Sequence, residues 1–111
     1  MSIQHFAPGE VIDIRPYGAD FESAATSETL IRESHIEVFR FILKAGKVTP
    51  EHTAAGAITI QCIEGEVELD VSGDIRVLKA SQLVYLSANE PHTVKALADT
   101  TLLITILLQR E

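Results

Sequence analysis

The sequence holds one cysteine, Cys62, in 111 residues, which rules out a disulfide within the chain. It is also short of positive charge. Nine Lys and Arg stand against sixteen Asp and Glu, for a net charge of −7. Polyanions are bound by clustered Lys and Arg that neutralise phosphates, and no such cluster occurs, so nucleic acid and anionic membrane are disfavoured as partners. Long apolar runs are missing. The longest, Leu102 to Leu108, falls far short of the roughly 18 residues that a membrane span needs. The opening Met1-Ser2-Ile3-Gln4-His5-Phe6 has no basic stretch followed by an apolar block, so no signal peptide is expected. The expected setting is a reducing cytoplasm. Repeats, low-complexity tracts and linkers are lacking. So are a phosphate loop, a nucleophile elbow and a paired thiol.

What remains is globular composition: 46% hydrophobic and 23% charged residues. The length fits one domain over residues 1–111, large enough to bury a core without disulfides or a structural metal. From Ile36 onward the hydrophobic period is two. Glu37, Phe39, Phe41 and Leu43 fall on one side of a strand, and Ile36, Val38, Arg40 and Ile42 on the other. Ile58, Ile60 and Cys62 alternate with polar residues. In Glu66-Val67-Glu68-Leu69-Asp70-Val71 the acids and aliphatics separate completely, which helix spacing cannot produce. Ser72-Gly73 marks a tight turn. Ile75 and Val77 are expected to continue the inward set. Leu83 to Leu86, His92 to Ala98 and Thr101 to Gln109 are further strands. Earlier, Val11 to Arg15 reads as a short strand stopped by Pro16 and Gly18, and Phe21 to Glu28 as a helical turn or loop. Short strands with turns every eight to twelve residues point to an all-β antiparallel sandwich or barrel. The expected core is Ile58, Ile60, Val67, Leu69, Val71, Ile75, Val77 and Val94.

Two segments give this pattern a family likeness. Gly46-Lys47-Val48-Thr49-Pro50-Glu51-His52, with Gly65 further on, matches a motif of Gly, five residues, His, and a closing Gly. Ser81 to His92 matches a second motif that ends in Pro91-His92, with Ser81 and Asn89 at its glycine positions and Ser87 at its proline position. Asn89 is a reasonable stand-in, because Asn tolerates positive φ. The chain therefore resembles a cupin with a degenerate metal motif. The likeness implies a double-stranded β-helix, or jelly-roll barrel, with core motifs over 36–109 and an N-terminal extension over 1–35.

Metal-dependent cupins, by that resemblance, hold iron, manganese, nickel or zinc in a cage of three His and one Glu. Here His52 and His92 occupy two of the four positions, while Ala54 and Ile58 stand at the others. The likeness thus gives His52, His92, Ala54 and Ile58 as a ligand-binding set and His52 and His92 as a two-ligand metal site. An ion of this kind wants at least three protein ligands, so a Zn, Ni, Fe or Mn ion is expected to be held weakly. Cys62 lies about 13 Å along the strand from Ile58, at roughly 3.3 Å per residue, and reads as a small buried hydrophobe. His35, Glu37 and Tyr85 are the alternative ligands from neighbouring strands. Glu51 is expected to face solvent, as is His5.

Two functions follow. The first is a binding module, in which the barrel takes a small organic ligand oriented by His52 and His92. Ala54 and Ile58 make the cavity drier and favour this reading. The alternative is a metal-dependent dioxygenase or isomerase with a sparse two-His centre. Whether the chain is an enzyme stays open at this point. The outward residues Leu103, Leu107, Val38, Ile42 and Ile63 form an apolar patch too large to leave exposed. A homodimer is therefore expected, through outer sheet faces or swapped N-terminal strands, unless residues 1–30 fold back over their own sheet.

Overall fold

A computed structural model describes residues 5–108. Eight strands carry the fold: β1 (Ser27–Arg32), β2 (Ile36–Leu43), β3 (Ile58–Glu64), β4 (Glu66–Val71), β5 (Asp74–Lys79), β6 (Leu83–Leu86), β7 (His92–Ala96) and β8 (Thr100–Leu107). They form a five-stranded sheet in the order β1-β2-β8-β3-β6 and a three-stranded sheet in the order β5-β4-β7. Every pairing is antiparallel. The two inner faces enclose the core as a jelly roll. Ile60, Cys62 and Leu102 of the larger sheet meet Val67, Leu69 and Val94 of the smaller one. The segment between β2 and β3 extends the smaller sheet through single bridges from Val48 to Lys95 and from His52 to His92. The strand expected to run to Gln109 ends at Leu107, and Gln109 lies outside the described residues.

Six of the eight expected core residues are buried, but Ile75 and Val77 are 55% and 47% exposed. The Ser72-Gly73 turn explains the reversal. Both residues take positive φ, 51° and 94°, as a two-residue hairpin loop requires. Val71 then pairs directly with Asp74, and directly paired residues share a face. The inward set of β5 is therefore even-numbered, with Leu78 opposite Val67. Ile75 and Val77 point outward beside Asp70 and Glu68. A turn one residue longer would have given the opposite parity.

The N-terminal third departs most from expectation. Val11 to Arg15 forms no strand, and Val11 is fully in solvent. A short 3-10 helix, Gly18–Ser23, precedes β1, whose start at Ser27 the composition does not mark. This segment lies over the outer face of the larger sheet. The backbone amides of Tyr17 and Gly18 donate to the Glu64 carboxylate at 2.9 and 3.2 Å, and Thr101 Oγ1 donates to it at 2.7 Å. Arg40 is the second anchor. Its guanidinium lies 5.1 Å from the Tyr17 ring centroid and donates to Glu28 Oε1 at 2.8 Å and to the Asp13 carbonyl at 3.2 Å. Phe21 and Ile42 are buried. The apolar patch expected on this face is thus partly covered by the chain itself.

Candidate functional site

The inner face of the larger sheet is largely apolar: Phe39, Ile104 and Ile60 form one cross-strand row, Phe41, Leu102 and Cys62 the next, and Ile106 and Ile58 a third that Glu37 ends on β2. The core does not fill the space before them. A cavity of about 470 Å³ remains. Its opposite wall is built by Val94 and His92 of β7 and by the loop from Thr49 to Ala55. No Lys, Arg, Asp or Glu lines it. The polar side chains on its wall are Thr49, Thr53, His52 and His92.

The two histidines are held as a pair. His52 and His92 exchange backbone hydrogen bonds, N to O, at 3.2 and 3.1 Å, which places both side chains on one face. Their ring centroids are 4.3 Å apart with the planes at 61°. His92 is buried and His52 is exposed. Each ring uses Nδ1 in the same way: His52 toward the Pro50 carbonyl at 3.1 Å, His92 toward the Glu90 carbonyl at 3.0 Å. A carbonyl only accepts, so both Nδ1 atoms carry the proton. A neutral ring then has its lone pair on Nε2.

Ala54 and Ile58 line the same cavity as the two histidines, so the four residues picked out in the sequence come together. The other candidate ligands do not. Tyr85 pairs with Thr59 and is exposed on the outer face. Glu37 lies beside Arg32, 3.9 Å away. His35 gives its carbonyl to the Leu108 amide, and neither its side chain nor that of Glu37 lines the cavity. Cys62 is buried near Glu64 and Gly65, with Sγ 3.4 Å from the Glu64 carbonyl, and burial pushes its thiol pKa up. Glu51 and His5 are exposed. Among the described residues, no three His, Cys, Asp or Glu side chains converge as a metal site would require. The donor set therefore does not fit a tightly held ion of the kind that the sequence resemblance implies. The sequence reading left Phe39, Phe41, Thr49 and Pro50 off the site. The parity of β2 carried the signal for the two Phe, since the outward placing of Val38 and Ile42 puts Phe39 and Phe41 inside.

A family model described as a cupin domain matches residues 39–107. Several solved structures share the architecture. A conserved protein of unknown function from Streptococcus pyogenes is 18% identical, with 100% of this chain and 98% of that one covered and a TM-score of 0.75. A cupin superfamily protein from Desulfitobacterium hafniense is 11% identical over 98% and 100%, with a TM-score of 0.77. The cupin domain of an XRE family transcriptional regulator from Enterobacter cloacae is 25% identical over 76% and 96%, with a TM-score of 0.67. No curated protein matches the sequence.

Proposed function

The chain belongs to the cupin domain family, and we propose that within it the protein is a binding module for a small organic molecule held between the sheets. One observation carries this reading. The cavity is large enough for an organic molecule, its walls are apolar, and its few polar groups gather around one histidine pair. The loss of two metal-ligand positions to Ala54 and Ile58 points the same way, since it dries the site where an ion would need donors. The likeness to a domain carried by a transcriptional regulator is in keeping with binding as the task.

The test uses N-phenyl-1-naphthylamine, an uncharged apolar fluorophore. Its emission should rise and shift to the blue on wild-type protein. Ala54→Trp, which places an indole in the cavity, should abolish the change while the circular dichroism spectrum stays β-type. Metal analysis completes the test. A stoichiometric ion that survives chelation would overturn the reading in favour of a metal-dependent dioxygenase or isomerase.

We also propose a homodimer through the outer face of β8, β3 and β6. Tyr85, Thr59 and Thr105 form one row across it and Leu83, Gln61 and Leu103 the next. Neither row carries a charge, and Leu83 and Tyr85 are 60% and 66% exposed. In a chain of net charge −7, an uncharged apolar face is where a second copy can approach with least repulsion. Sedimentation should report twice the chain mass, and Tyr85→Glu should halve it. A mass of 12.1 kDa for the wild type at micromolar concentration would sink the dimer.

A further inference from the structure

The cavity wall specifies which atoms a ligand must bring. We infer that its ligand is an uncharged molecule, aromatic or otherwise apolar, that donates hydroxyl hydrogens to Nε2 of His52 and His92. The inference rests on the binding reading above and goes beyond it by naming the ligand chemistry.

Three observations combine. First, both Nδ1 atoms are committed to backbone carbonyls two residues back, Pro50 and Glu90. Each neutral ring therefore offers the cavity an acceptor and no donor. No hydrogen bond from another described side chain reaches either Nε2. Second, the wall contains no Lys or Arg. A carboxylate or phosphate would lose its hydration there without gaining a counter-charge, which is costly. Third, the two rings lie 4.3 Å apart, centroid to centroid. Rings this close let one compact molecule with neighbouring hydroxyls reach both. Thr49 Oγ1 accepts from the Val94 amide at 3.0 Å, which occupies one of its two acceptor positions. A ligand with acceptors alone would bury both imidazole lone pairs without a partner.

A series with one ring and a falling number of donors tests this. Catechol has two hydroxyls, guaiacol one, and veratrole none, and benzoate adds a charge. Binding is measured by calorimetry at pH 8 with EDTA present, so that metal chelation by catechol cannot contribute. The expected order is catechol, then guaiacol, then veratrole, with about a fivefold loss per methylated hydroxyl, and benzoate weakest. His52→Phe should flatten the order between catechol and guaiacol while keeping binding of the ring. Nitrogen-15 spectra of the free protein should show both histidines protonated at Nδ1.

Each other outcome overturns the inference. Equal binding across the series removes the hydroxyl requirement but leaves an organic pocket. An order seen only without EDTA assigns the contact to a metal. Tightest binding by benzoate assigns it to a charge. If N-phenyl-1-naphthylamine binds and none of the series does, the ligand class is wrong and the binding module stands. If the fluorophore fails as well, both readings fall together.

Discussion

His52 and His92 are an antiparallel hydrogen-bonded pair as well as a pair of edge-on imidazoles: their backbones exchange hydrogen bonds at 3.2 and 3.1 Å, and their rings lie 4.3 Å apart. One residue comes from an irregular loop and the other from β7. The bridge between them is what turns the loop into part of the cavity wall. The site's geometry thus depends on main-chain pairing, which survives when the side chains change.

Replacing both histidines by alanine should consequently spare the fold. His92 is buried, and its loss should cost on the order of 1–3 kcal/mol through the space left behind and the released Glu90 carbonyl. The exposed His52 should add little. The expected result is an unchanged far-ultraviolet spectrum, a melting point several degrees lower, and no difference between catechol and veratrole. Collapse to an unfolded spectrum would mean that the pair serves mainly as a structural element.

Glu64 gives a sharper prediction about the N-terminal segment. Its carboxylate accepts from the amides of Tyr17 and Gly18 and from Thr101 Oγ1. Glu64→Ala takes the acceptor from all three donors, and for the buried Thr101 hydroxyl the loss costs about 1–3 kcal/mol. Local release is the cheaper response, because Tyr17 and Gly18 can return to water. Hydrogen exchange at Tyr17 and Gly18 should accelerate strongly, with exchange in β3 and β8 little altered. Uniform acceleration throughout the chain would show that the segment is integral to the barrel instead of docked upon it.

The strands from Ile36 onward were legible because each has one buried face, so the period of two appears directly in residue type. The histidine pair, Ala54 and Ile58 were legible through motif spacing. What parity alone could not give was the face. In β5 the residue types point the wrong way, since apolar Ile75 and Val77 alternate with Asp74 and Arg76, and the two-residue turn at Ser72-Gly73 decides the face instead. The N-terminal segment was opaque for another reason. Its order comes from distant partners, Glu64 and Arg40, and leaves no periodic trace.

Ser81 and Asn89 extend that point to the motif glycines. Both keep positive φ, 73° and 63°, although neither is glycine. The left-handed backbone that favours glycine is present at both positions without it. Left-handed backbone costs a non-glycine residue about 1–2 kcal/mol, less so for Asn. Ser81→Gly relieves this, against a loss of up to about 1 kcal/mol from the freer unfolded chain. A net gain of about 0.5–1 kcal/mol is expected from urea denaturation, with the Ser81 amide still bound to the Cys62 carbonyl. A loss of stability would mean that the serine hydroxyl has a structural partner.

Cys62 supplies the pH dependence. Burial raises its thiol pKa above the usual value, with the charges of Glu64 and Glu66 adding to the effect. The sign follows from linkage. Below the ordinary thiol pKa of about 8.5 both states are protonated and the shift changes nothing in relative terms. Above it the unfolded chain ionises while the folded chain keeps its proton, so stability falls as pH rises. Between pH 8 and pH 10 the wild type should therefore lose stability through this site. Tyr17, also raised by burial, acts in the same direction, so the comparison must isolate Cys62. Cys62→Ala should be less stable at pH 8, from the lost packing, yet show a shallower decline to pH 10 than the wild type. Iodoacetamide should leave the folded wild type unmodified at pH 8 and label it at the rate of unfolding. Rapid labelling, or parallel declines in the two proteins, would show that the thiol reaches solvent in the native state.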